Sequence, residues 1–177
     1  MKIKHISSAI GLVLALSSGA AFSADQGQGT VTFKGSIIDS PCSITPETTD
    51  QTVNMGQVSN KALENGGKST PRPFYIKLEN CDVATLTDKT VTTTFTGTAS
   101  AAQTDNLSLV GTAQGAAIVL TNGDGTSIKL GEASRPTAVQ DGNNTLTFAA
   151  YLQGDGGTAT VVPGEFTSVA NFTLAYQ

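Results

Sequence analysis

The chain has 177 residues, with ten Lys and Arg against fourteen Asp and Glu, for a formal net charge of −4. Its basic residues are dispersed, which argues against nucleic acid or anionic lipid as partners, since both demand clustered Lys or Arg. One His and two Cys leave little material for nucleophilic or metal chemistry.

The chain opens with Lys2 and Lys4, an apolar run from Ile10 to Leu16, and the small residues Ser17, Ser18, Gly19, Ala20 and Ala21. That order predicts a secretory signal peptide over residues 1–23. The run is shorter than the ~20 residues a bilayer requires, so a spanning helix is the weaker alternative. Cleavage is expected after Ser23, with a cut after Ala24 as the alternative. Removing 23 of 177 residues leaves 154, enough for one domain with a sizeable core. It also removes Lys2 and Lys4 but no acid, taking the charge from −4 to −6.

After the signal, Ala24 to Thr30 is a polar, Gly-containing lead. It passes into Val31, Phe33, Gly35 and Ile37, which alternate with Thr32, Lys34 and Ser36, the period of a strand with one buried face. Gly35 stands where a large residue is expected, and a β-bulge or a close backbone approach would account for it equally well. Cys42 and Cys81 follow. In an exported chain such a pair reads as a disulfide, two buried thiols being the alternative. A helical turn is expected only at Ser59 to Asn65, stopped by Gly66 and Gly67.

Further alternation predicts strands through Phe74, Ile76 and Leu78, through Val91, Thr93 and Phe95, through Leu146, Phe148, Ala150 and Leu152, and through Ala170, Phe172, Leu174 and Tyr176. Residues 99–114 read as surface loop around a short strand from Leu107 to Val110. Turns are expected at Asn65-Gly66-Gly67, Asn122-Gly123-Asp124-Gly125, Asp141-Gly142-Asn143-Asn144 and Gly154-Asp155-Gly156-Gly157. Short strands separated by such turns predict an all-β sandwich.

The lone His5 lies in the signal, so the exported chain holds no Ser-His-Asp or Cys-His nucleophile and no histidine metal site. A carboxylate pair of the glycosidase kind is left, but Trp is absent and aromatics are sparse, which leaves little for a sugar-stacking cleft. The loop Asn122 to Gly125 lacks the alternating oxygen ligands and closing Glu of a calcium site, so it reads as a hairpin turn. The glycosylation patterns at Asn106, Asn143 and Asn171 are what chance produces in a chain this rich in Asn, Ser and Thr. No enzyme activity, cofactor or metal is expected.

The chain ends inside its last alternation, at Ala175-Tyr176-Gln177. An ordinary terminal strand would explain this, as would a strand awaiting a partner. The string from Val31 to Ile44 (VTFKGSIIDSPCSI) resembles the N-terminal region of chaperone-usher pilins, and in particular of the major rod subunits of P-type pili and related fimbriae. Phe74 to Cys81, the Gly115 to Leu120 strand, and Val162 to Gln177 agree with it. The end is the most specific part, combining alternating apolar residues, a penultimate Tyr176 and Gly164 fourteenth from the last residue. Residues 82–111 carry no motif of the family.

The resemblance implies an incomplete immunoglobulin-like β-sandwich that lacks its final strand and so leaves a hydrophobic groove open. Residues 24–37 would be a donor-strand extension and residues 38–177 the sandwich. Val31, Phe33, Gly35 and Ile37 would enter the groove of a neighbouring subunit, with Gly35 matched to a shallow pocket. Gly164, Ala170, Phe172, Leu174, Tyr176 and Gln177 would form the acceptor groove and chaperone-recognition end, the Gln177 carboxylate held by basic residues of a periplasmic chaperone. The disulfide would tie the first strand to the third. An outer-membrane usher, identical subunits and minor and tip subunits would be the other partners, and the destination would be a surface fimbrium supporting adhesion. A minor adaptor subunit and a secreted sugar-binding sandwich module are the alternatives.

Overall fold

The structure, a computed structural model, describes residues 28–177. The expected signal peptide and the start of the lead lie outside the described residues. Residues 38–177 form one compact unit, and residues 28–37 belong to a separate one.

In the compact unit the elements are β1 (Ser43–Ile44), α1 (Pro46–Thr49), α2 (Asn60–Leu63), β2 (Arg72–Cys81), β3 (Thr90–Gly97), β4 (Leu107–Ser108), β5 (Val110–Gly111) and β6 (Ala116–Asn122). They continue with β7 (Ser127–Ile128), β8 (Thr137–Ala138), β9 (Gly142–Gly154), β10 (Phe166–Thr167) and β11 (Ala170–Tyr176). One sheet runs β1-β2-β9-β6, with β4 and β7 sharing the outer edge of β6. A second runs β11-β3-β8, and β5 and β10 form a small ribbon. Every pairing is antiparallel.

The alternation read from the sequence has a physical counterpart in the core. Across β2 and β9, Phe74 opposes Phe148 and Ile76 opposes Leu146. Across β3 and β11, Phe95 opposes Phe172 and Val91 opposes Tyr176. The two sheets meet through these rings: Phe95 packs edge-on against Phe148 with centroids 5.1 Å apart, and against Phe74 at 6.0 Å. Such geometry sets the positive edge of one ring against the negative face of another. Ile76, Leu78 and Leu146 are fully buried beneath them. In β6 the residues from Ala116 to Thr121 are buried without alternation. Both faces of that strand are covered, and a continuous apolar run is its signature.

The expected turn at 59–65 is α2 followed by a 3-10 turn at Glu64–Gly66, with Asn65 left-handed at φ 57°. A side chain at Gly67 would run into the Ala62 carbonyl, so this glycine is required where the turn closes. The Asn122 to Gly125 turn joins β6 to β7: Gly125 N–H donates to the Asn122 carbonyl (2.9 Å) and Thr126 N–H to Asp124 Oδ1 (2.9 Å). The Thr126 hydroxyl, with its backbone N–H and the Arg135 guanidinium, holds the Asp124 carboxyl below its ordinary range. Asp124 braces the turn.

Two expectations are corrected. Residues 142–144 are the start of β9, not a turn, because Gly142, at φ +88°, pairs with Cys81 across an irregularity that lets the strand begin early. Residues 31–37, expected to pair in a neighbouring copy, carry no secondary structure in the single chain, where they have no ladder partner. The disulfide joins Cys42, just before β1, to Cys81 at the end of β2, the second strand and not the third. It does so because β1 pairs directly with β2, Ser43 opposite Glu79.

Candidate functional site

An exposed sheet edge is a template for pairing, and the edges of β2, β3 and β11 differ in how their backbone groups are satisfied. On β2, the two-residue β1 departs after Ile44, and its place is taken by single groups. Thr45 N–H donates to the Lys77 carbonyl (3.0 Å), Lys77 N–H donates to Thr48 Oγ1 (3.1 Å), and Gln51 Nε2 donates to the Tyr75 carbonyl (3.0 Å). On β3, the side away from β11 is met by the 131–139 segment: Gly131 N–H donates to the Phe95 carbonyl and Ser134 N–H to that of Thr93, each at 2.8 Å. Thr93 N–H donates in return to Ser134 Oγ (2.9 Å). β11 differs. It is the outermost strand of its sheet, and its second edge has no backbone partner among the described residues.

Beside β11 the space between the sheets is open. A groove of about 1550 Å³ reaches the core residues Phe74, Phe95, Leu107, Ile118 and Leu152, and the segments 49–58, 109–114 and 161–172 contribute most of its remaining lining. A cleft this size lined by Phe, Leu and Ile is what a missing strand leaves in a sandwich, whose core is normally filled from both sheets.

The residues singled out from the sequence fall into place as follows. Gly164, Ala170 and Phe172 line the groove. Leu174 and Tyr176 are half-buried on the same face of β11, packed against the core beyond the groove lining. Gln177 is exposed, and its backbone exchanges hydrogen bonds with Thr90 (2.9 and 3.0 Å). A side chain at Gly164 would collide with Thr112 Oγ1 and the Ala113 nitrogen, so this glycine lets the groove lip lie against residues 112–113. There Glu165 N–H donates to Thr112 Oγ1 (3.1 Å). Gly164→Ala is accordingly expected to cost about 1 to 3 kcal/mol through overpacking. The check is the yield of folded, disulfide-bonded chain, which should fall several-fold.

The Tyr176 hydroxyl is buried without a hydrogen bond to any described residue. Burial raises its pKa, and the nearby Ser40 side chain offsets only part of that. A raised pKa means that the folded chain holds the phenol proton more tightly than the unfolded chain does. Stability is therefore full below the ordinary tyrosine value near 10 and falls as pH climbs through the raised one. Tyr176→Phe, which removes an unsatisfied hydroxyl, should leave the urea midpoint at pH 7 nearly unchanged and flatten its decline above pH 10.

The expected donor residues lie in the separate segment. Val31, Phe33 and Ile37 are 75%, 90% and 104% exposed, and a side chain built on Gly35 would meet nothing within 4 Å. Single exposed apolar residues are ordinary on a protein surface, but three at alternating positions within seven make an unusual concentration of exposed apolar surface. Sequence reading missed the 49–58 part of the groove lining. Val53 and Met55 stand two apart there, a short alternation that could have drawn attention to it.

Comparison with known proteins agrees with this geometry. A family model described as fimbrial protein matches residues 31–177. The chain is 63% identical to the Fimbria A protein of Serratia marcescens and 52% identical to the major MR/P fimbria protein of Proteus mirabilis (strain HI4320), each over the full length of both chains. Its fold is similar to that of a chain in the solved structure of a chaperone-usher pilus, with a TM-score of 0.77 and 36% identity over 88% of this chain and 99% of that one. The sandwich is thus an incomplete immunoglobulin-like fold.

Proposed function

The chain belongs to the fimbrial protein family and is a structural subunit of a chaperone-usher pilus at the cell surface; we propose that residues 24–37 of each copy complete the sandwich of the next. The observation that carries this reading is the coexistence in one chain of an unpaired β11 edge above an open apolar groove and an unpaired, exposed, alternating segment. Strand addition to a free edge is a general recognition mode, of which pilin complementation is a known instance.

The inserted strand supplies backbone hydrogen bonds to β11 while Val31, Phe33 and Ile37, all on one face, enter the groove. Each such side chain contributes roughly 1.5 to 3 kcal/mol when fully buried, which offsets much of the cost of ordering the segment. Gly35, between them, fits where the groove is shallow. Before assembly the same edge is covered by a periplasmic chaperone, whose basic residues take the Gln177 carboxylate, and an outer-membrane usher hosts the exchange. The chain forms the shaft of the fibre.

A synthetic peptide spanning residues 28–38 tests the mode directly. Added in excess to the refolding chain, it should be captured one to one and suppress aggregation. A chain that refolds to a soluble monomer and ignores the peptide would mean that the groove needs no strand.

A further inference from the structure

The groove is apolar in its depth, and its lining includes two charged residues, Asp50 and Glu165. Both are acidic and exposed, and they sit on the two separate segments, 49–58 and 161–172, that lead into it. Neither is in an ion pair with a described residue. Residues 28–37 carry one charge, and it is opposite: Lys34. In an extended strand Lys34 points away from the face that bears Phe33 and Gly35. When that face turns into the groove, the ammonium is directed outward, toward the solvent-exposed part of the lining to which Asp50 and Glu165 belong.

We propose that Lys34 of the incoming copy is recognised by the acidic mouth formed by Asp50 and Glu165, which selects this chain's own segment and resists its sliding along the groove. The inference rests on the strand-addition reading above. Backbone hydrogen bonds cannot set the register, because a shift of two residues restores the same ladder and keeps the same face inward. The apolar pattern resists such a shift only through the difference between Gly35 and its neighbours. A single charge attracted by acids on two separate lining segments adds a second anchor. It is also one that a foreign segment of equal hydrophobicity but different charge would lack.

The experiment uses the full-length exported chain carrying Gly35→Asn, which keeps its own segment out of neighbouring grooves. It is refolded with an equimolar mixture of two peptides spanning residues 28–38, one native and one with Lys34→Glu. Captured peptide is quantified by native mass spectrometry. At about 20 mM salt the native peptide should be favoured about two- to five-fold, the range open to an exposed charge contact, and the preference should fade by about 0.5 M. In a chain that also carries Asp50→Lys and Glu165→Lys the preference should reverse. Equal capture of both peptides at low salt would overturn the role of Lys34 and leave strand addition standing, as would a preference that the doubly reversed chain retains. Capture of neither peptide would overturn both readings. Because the main comparison alters only the peptide, it does not depend on the reversed chain folding well.

Discussion

Replacing Gly35 with Asn is expected to stop fibre growth while leaving the subunit folded, exported and disulfide-bonded. The separation of effects follows from where Gly35 lies. Within its own chain a side chain at this position meets nothing within 4 Å, so the substitution introduces no clash in the folded subunit. Its φ lies outside the left-handed region, so no backbone strain accompanies the change. The cost appears only when the segment enters another copy. There Asn would have to lose its hydration in an apolar groove and find room on the face between Phe33 and Ile37. Burying an amide without hydrogen bonds costs roughly 1 to 3 kcal/mol on protein scales, and overpacking a filled core adds about as much again. Together these, about 2 to 6 kcal/mol, should reduce exchange by about one and a half to four orders of magnitude. Electron microscopy of the cell surface and the subunit level in periplasmic extracts read the two effects separately. Fibres at normal density from the variant would show that Gly35 does not face the groove.

Removing the disulfide has the second largest expected effect. The bond between Cys42 and Cys81 closes a separation of 39 residues, for which chain entropy implies about 4 kcal/mol of stabilisation. Both sulfur-bearing residues are buried, and the Asp82 N–H donates to the Pro41 carbonyl (2.9 Å) alongside them. That stabilisation is large beside the total stability of an ordinary domain, about 5 to 15 kcal/mol, and this sandwich also leaves a groove open in its core. Cys42→Ser with Cys81→Ser should therefore lower the level of exported chain more than ten-fold, as judged by immunoblot of cells with their proteases intact. A yield within two-fold of the native chain would show that the rest of the fold carries the open core unaided.

How much of this was legible beforehand depended on how local each signal was. The strands through Ile76, Thr93, Phe148 and Phe172 were readable because each has one buried face and enough residues to display a period of two. The two-residue strands β1, β8 and β10 and the four-residue helix α1 are too short to display any period, and tertiary hydrogen bonds create them. The irregularity that turns residues 142–144 into strand depends on Cys81, some sixty positions away. The groove was harder still. Phe172 could be marked as bordering it from the pattern at the chain end, but the part formed by 49–58 comes from a stretch with mixed polarity. That β11 is the unpaired edge depends on how distant elements cover the others: Thr48 and Gln51 on β2, Ser134 on β3. The segment at Val31 to Ile37 shows the opposite case. Its strand pattern is plain in the sequence, yet the strand is absent from the structure of one chain.

The most direct test of the central claim is a gel of surface material from cells expressing the chain with and without the proposed chaperone and usher, run unheated and after boiling in denaturant. Strand exchange predicts a ladder of multimers that survives in the unheated lane, collapses on boiling to a monomer of the mature mass, and disappears when the partners are absent. A stable soluble monomer that needs neither partner would contradict it, since the groove beside β11 would then have no strand to receive.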